Sequence, residues 1–218
     1  MSELITRAVE STVEVTSQVS PATNGHAKIE SQRNVIVENE GFRLLALNVE
    51  RLLAGESRRS IVVMSANSWE GRSTTAAGLA RALSRTHPPV LLIDADPEGS
   101  GLGDLLPVET PHAANGAAGL STDLRVLHPG TGLQHVSDSF LEKVQAASRE
   151  ALDEGATVVI DAPACSTSSA AFYLAASASG VLYVTRPDSR RNGIVHADVG
   201  AQLELLGARV LGVVVNEG

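Results

Sequence analysis

Apolar residues along this chain fall into two alternating registers, and the alternation predicts the fold. Short, nearly continuous apolar runs occupy residues 61–65, 89–94, 156–161, 180–185 and 208–215. Runs of this length, rich in Val, Ile and Leu, predict strands buried on both faces. Between them the apolar spacing widens to steps of three and four. Phe42, Leu45, Ala46, Val49, Leu52 and Leu53 share one helical face that ends near Gly55. Ala76, Leu79, Ala80 and Leu83 do the same within residues 72–85, and Leu141, Val144, Ala147, Ala151 and Leu152 within residues 140–154, ahead of Gly155. A further helix over residues 192–206 stops at Gly207. Glycine just past a helix supplies the left-handed cap that other residues resist. The apolar stretch from Ala170 to Val184 is broken by Ser177, Ser179 and Gly180. It reads as a helix, a glycine stop and a strand, and it is too short for a membrane span. Strands alternating with helices predict an α/β protein: a doubly wound, mostly parallel sheet flanked by helices. Residues 1–33 are polar and aperiodic and read as a disordered leader, with one domain over residues 34–218. Residues 97–120, punctuated by glycine and proline, read as a long mobile loop.

Composition narrows the function classes. Hydrophobic residues make up 43% and aromatics 3% of the 218 residues, so the core must be built from aliphatic side chains. The formal charge of −8 carries no basic block and argues against nucleic acid as a partner. Cys165 is the single cysteine, which excludes an intrachain disulfide and fits a reducing cytoplasm. With no signal peptide read at its start, the chain is expected to be cytoplasmic. The histidines show no metal-ligand spacing.

The chemistry concentrates after the first apolar run. Ser60–Ser65 leads into Ala66-Asn67-Ser68-Trp69-Glu70-Gly71-Arg72-Ser73-Thr74 and then a small-residue helix. Strand, loop and helix in that order bring backbone N–H groups and a helix N-terminus together on phosphate oxygens. The spacing fits a phosphate loop opened by Ala66, with Arg72 in the lysine position. Two later runs end in carboxylates, Asp94-Ala95-Asp96 and Asp161-Ala162-Pro163, at the strand ends where doubly wound sheets bind ligands. Mg²⁺ on a nucleotide phosphate takes a hydroxyl, one or two carboxylates and waters, and Ser73, Asp94 and Asp161 supply that set. Asp96 is placed to position the attacking water or nucleophile. The expected ligands are therefore ATP or ADP with Mg²⁺, held by Glu70, Gly71, Arg72, Ser73 and Thr74.

Together these segments resemble the MinD/ParA superfamily of P-loop ATPases, most of all its capsular-polysaccharide branch, the bacterial tyrosine kinases. That branch has S-x-x-x-G-E-G-K-S-T where this chain runs Ser65 to Thr74, and E-x-F-R-x-L-R-x-N where it has Glu40 to Asn48. Leu211-Gly212-Val213-Val214-Val215-Asn216 is similar to the family's G-V-V-x-N, which implies that Asn216 lies at the nucleotide base. The resemblance covers about residues 38–218 and implies a P-loop NTPase fold. It also implies a tyrosine kinase or ATPase role in exopolysaccharide synthesis, at the inner face of the membrane beside a membrane-bound co-polymerase or activator. The departures point to weak activity or a regulatory role. Arg72 is longer and forked where a compact ammonium belongs, and loss of a positioned donor costs about 10²–10³ in rate. Trp69 stands where the loops carry glycine and is expected to resist positive φ. Ala46 replaces the last arginine of the ring-forming helix motif, which predicts a monomer or weak homo-oligomer. Tyr173 and Tyr183 fall in a helix and a strand, with no tyrosine cluster after Asn216. The alternative is a positioning or partitioning ATPase of the MinD/ParA type.

Overall fold

The computed structural model describes residues 13–15, 40–96, 102, 105–106, 117–121, 123–128, 136–187 and 193–217. The five expected strands are present as β2 (Arg59–Ser65), β3 (Val90–Asp94), β6 (Thr157–Asp161), β7 (Gly180–Thr185) and β8 (Val210–Asn216). Three further strands are β1 (Val13–Val15), β4 (Ala117–Ser121) and β5 (Leu124–Leu127). Helices that lie within the described residues are α1 (Glu40–Leu52), α2 (Arg72–Thr86), α3 (Asp138–Asp153), α4 (Ala170–Ser177) and α5 (Gly193–Leu205). Gly55, Gly155 and Gly207 follow their helices at φ of 92°, 81° and 64°, as the capping argument requires.

One sheet runs in the order β1-β8-β7-β2-β6-β3-β5-β4. All neighbours are parallel except the edge pair β4 and β5, which is antiparallel. Alternate residues of β2 explain the two-sided burial. Ile61 and Val63 face a core with Leu45 and Val49 of α1 and Leu79 and Leu83 of α2. Val62 and Met64 face the opposite core with Phe140 and Val144 of α3, Leu174 of α4 and Leu203 of α5. Helices on both faces make the sheet doubly wound. From β2 the chain crosses outward to β3 and returns to β6, then passes to β7 on the other side of β2. The carboxyl end of β2 therefore lies at the switch point where such sheets bind ligands.

Two expectations change. Val13–Val15, inside the stretch read as a disordered leader, pair with Val214–Asn216 and add a strand to the sheet edge. The other leader residues lie outside the described residues. The supposed mobile loop over 97–120 contributes β4, and Leu102, Leu105 and Leu106 are buried in the core beside α2. A five-residue strand reading Ala-Ala-Gly-Leu-Ser carries no alternation to betray it, and the remainder of that loop lies outside the described residues.

Candidate functional site

The loop between β2 and α2 is braced by its own side chains. Ser65 Oγ donates to Asn67 O at 2.8 Å, and Asn67 N–H donates to Glu70 Oε2 at 2.9 Å. Glu70 is buried, with its carboxylate turned inward. Asn216 Nδ2 donates to Glu70 O at 3.2 Å and ties the loop to the end of β8. Gly71 caps α2 at φ 90°, and any Cβ there would overlap the Asn216 amide. Trp69 takes φ 70° while 92% exposed. The expectation that tryptophan would resist this conformation is corrected: the flanking hydrogen bonds hold the turn, and the side chain meets only solvent. The left-handed backbone still costs about 1–3 kcal/mol for a residue with a Cβ.

Arg72 opens α2, and its guanidinium is folded down into the base of the site. Nε donates to Asp161 Oδ1 at 3.0 Å, Nη2 donates to Asp96 Oδ2, and Nη1 lies 3.5 Å from Ser65 Oγ. The arginine is buried, 7% exposed, and so is Asp161. Register explains the convergence: Asp94 and Asp161 are paired residues of adjacent parallel strands, and Ala95 N–H donates to Asp161 O at 2.9 Å. The Ser73 hydroxyl lies close enough to Asp161 to favour its charged form. Burial pushes the Asp161 carboxyl up to about 6, outweighing the Arg72 charge that pulls it down. Asp94 accepts from Asp96 N–H at 3.2 Å through Oδ1 and pairs with His128 Nδ1 at 3.1 Å through Oδ2.

Arg72, Ser73, Asp96 and Asp161 thus form one cluster with Asp94 at its border, while Glu70, Gly71 and Asn216 brace the loop above. Thr74 sits half-buried in the first turn of α2. His128, Cys165 and Tyr183 were not anticipated. His128 follows β5, a four-residue strand too short to read, although its strand-end position is where a ligand-facing residue belongs. The segment after β6 joins the loop through Cys165 N–H to Ser65 O at 3.0 Å and Ser166 N–H to Ala66 O at 2.9 Å. Burial raises both the Cys165 thiol and the Tyr183 phenol, and the Glu70 charge adds to each.

The fit of Mg²⁺ to this donor set can be tested directly. Asp161 and Asp96 hold Arg72, and Asp94 holds His128. Octahedral Mg²⁺ needs such oxygens open toward it. The set as arranged fits a guanidinium and not a hydrated dication.

The profile of the CobQ/CobB/MinD/ParA nucleotide binding domain matches residues 61–217. The chain is 30% identical over 198 residues, 82% of its length, to the succinoglycan biosynthesis transport protein ExoP of Rhizobium meliloti (strain 1021), of which it covers 25%. It is 39% identical over 72 residues to the tyrosine-protein kinase YwqD of Bacillus subtilis (strain 168), a match covering 30% of each. It spans less than a third of either relative through these matches. The kinase domain of Escherichia coli tyrosine kinase ETK superposes with a TM-score of 0.66 at 18% identity, over 82% of this chain and 74% of that one. At that identity the superposition speaks to fold alone.

Proposed function

The chain belongs to the CobQ/CobB/MinD/ParA nucleotide-binding family, and from that premise we propose that it binds ATP or ADP and acts as a weakly active or regulatory kinase-like component of exopolysaccharide synthesis. The phosphates are received by the backbone from Gly71 to Thr74 at the N-terminus of α2, where the helix dipole favours negative charge. Asn216, already against the loop, lies on the side assigned to the base. The observation that carries the reading of weak turnover is the direction of Arg72. A lysine ammonium would reach out to the β- and γ-phosphates as a point charge. This guanidinium is instead committed to Asp161 and Asp96. Asp96, the residue assigned to orient a nucleophile, is held in the same pair.

Kinase-like relatives and family membership support this reading, and the partner we propose is a membrane-bound polysaccharide co-polymerase. No helix among the described residues is long and apolar enough to cross a membrane. The proposed co-polymerase partner would hold the protein in the cytoplasm at the inner face of the membrane. The test is Arg72→Lys. ATP turnover, or phosphotransfer to an added tyrosine substrate, should rise by about tenfold or more as the compact charge is restored and the carboxylates are released. A fall in activity would show a loop rebuilt around arginine and reject the reading.

A further inference from the structure

We propose that Arg72 occupies the seat of the divalent cation: its guanidinium is a tethered counter-ion for Asp161 and Asp96, and nucleotide phosphate binds this loop without Mg²⁺. For its phosphate half the inference rests on the nucleotide-binding reading above. Three strand ends converge on the guanidinium: Ser65 closing β2, Asp96 just past β3, and Asp161 closing β6. A metal shared between nucleotide and protein would have to use the same carboxylates, chiefly Asp161 and its Ser73 neighbour. With Arg72 at 3.0 Å from Asp161 and the pair buried, a dication on the same oxygens would meet an unscreened positive charge at close range. Arginine keeps its charge under all ordinary conditions, so this counter-ion cannot be titrated away.

Most of the guanidinium's hydrogen-bonding capacity goes to the protein. Arginine carries five N–H donors. One is given to Asp161 through Nε and one to Asp96 through Nη2, with Ser65 taking a long contact from Nη1. One N–H on each of Nη1 and Nη2 is left beyond these contacts, while the buried guanidinium stays at the base of the site and the phosphate is received by the loop backbone above it. Arg72 thus neutralises in part the carboxylates a metal would otherwise use, with one positive charge where a lysine and Mg²⁺ would bring three. The carboxylates keep a counter-ion while the site gives up a mobile dication, and the phosphate relies on the loop backbone and the helix N-terminus.

Two measurements on the full chain decide this. Calorimetric titration with ADP and with ATP is run in excess MgCl₂ and again in excess EDTA. The expected dissociation constants agree within about threefold, and weakening by about tenfold or more in EDTA would overturn the proposal. Separately, Mn²⁺ is titrated without nucleotide and followed by electron paramagnetic resonance. The native protein should leave the ion free, whereas Arg72→Ala and the more conservative Arg72→Lys, each checked for folding by circular dichroism, should bind it at least about tenfold more tightly. Native protein that binds Mn²⁺ as well as both variants overturns the assignment of Arg72. Absence of nucleotide binding in both buffers would reject the nucleotide-binding reading, and the Mn²⁺ titration would still decide whether Arg72 fills the cation seat.

Discussion

Arg72, Trp69 and Cys165 each set a local condition that can be measured. The ion pair from Arg72 to Asp161 is buried, and removing one member of such a pair leaves the other charged without compensation. That is why Arg72→Lys, which keeps a charge, is the informative change for activity. Trp69 pays for its φ of 70° with no packing in return, being 92% exposed. Trp69→Gly should therefore stabilise the fold by about 1 kcal/mol, after allowing for the entropy glycine loses on folding. Urea unfolding midpoints compare the two, and a destabilised variant would mean that the indole makes contacts in solution. At Cys165, burial raises the thiol from 9.0 to about 12. Because the folded value is the higher one, the stability contributed by the neutral thiol is complete below about pH 9 and is lost as the pH rises towards about 12. At pH 8 the thiolate should be scarcer by roughly a thousandfold than in an ordinary cysteine. Reaction with a chromogenic disulfide should be slower by about that factor in native protein than in urea. Rapid native labelling would contradict the burial argument.

Among the elements, α1 and α2 determine how firmly the loop is seated. Gly78 of α2 lies under the Phe42 ring of α1, and a Cβ at that position would overlap the ring. Gly78→Ala should destabilise by about 1–3 kcal/mol through overpacking, and Phe42→Leu in the same chain should recover part of the loss. Chemical denaturation of the single and double variants tests this, and strict additivity would rule out the contact. Ala46 is buried in this same core. The helix motif therefore departs from its pattern at a position turned inward, while Glu40 and Arg43 pair on the exposed face at 3.1 Å. The elements with a strong period were readable: α2, α3 and the five long strands start and stop within about two residues of their expected limits. The short ones were not. β1 spans three residues, β5 four, and β4 is made of small residues, so pairing with a neighbour and not local pattern creates them.

At the scale of the molecule, the doubly wound sheet brings Ser65, Asp94 and Asp161, far apart in sequence, to one edge of the switch point. Strand order in the chain was enough to gather the candidate carboxylates, since each follows an apolar run. Their partners were not legible. That Arg72 would turn down to Asp161 and Asp96, and that Asp94 would meet His128, depends on side-chain direction across three strands, which no linear spacing encodes. The central claim is that this loop binds nucleotide. Isothermal titration of the folded full chain with ADP and ATP tests it most directly. The account predicts saturable heat at a single site, abolished by Gly71→Ala because the new Cβ would strike Asn216 and strain the loop. No heat with either nucleotide at millimolar concentration, from protein shown to be folded, would contradict it.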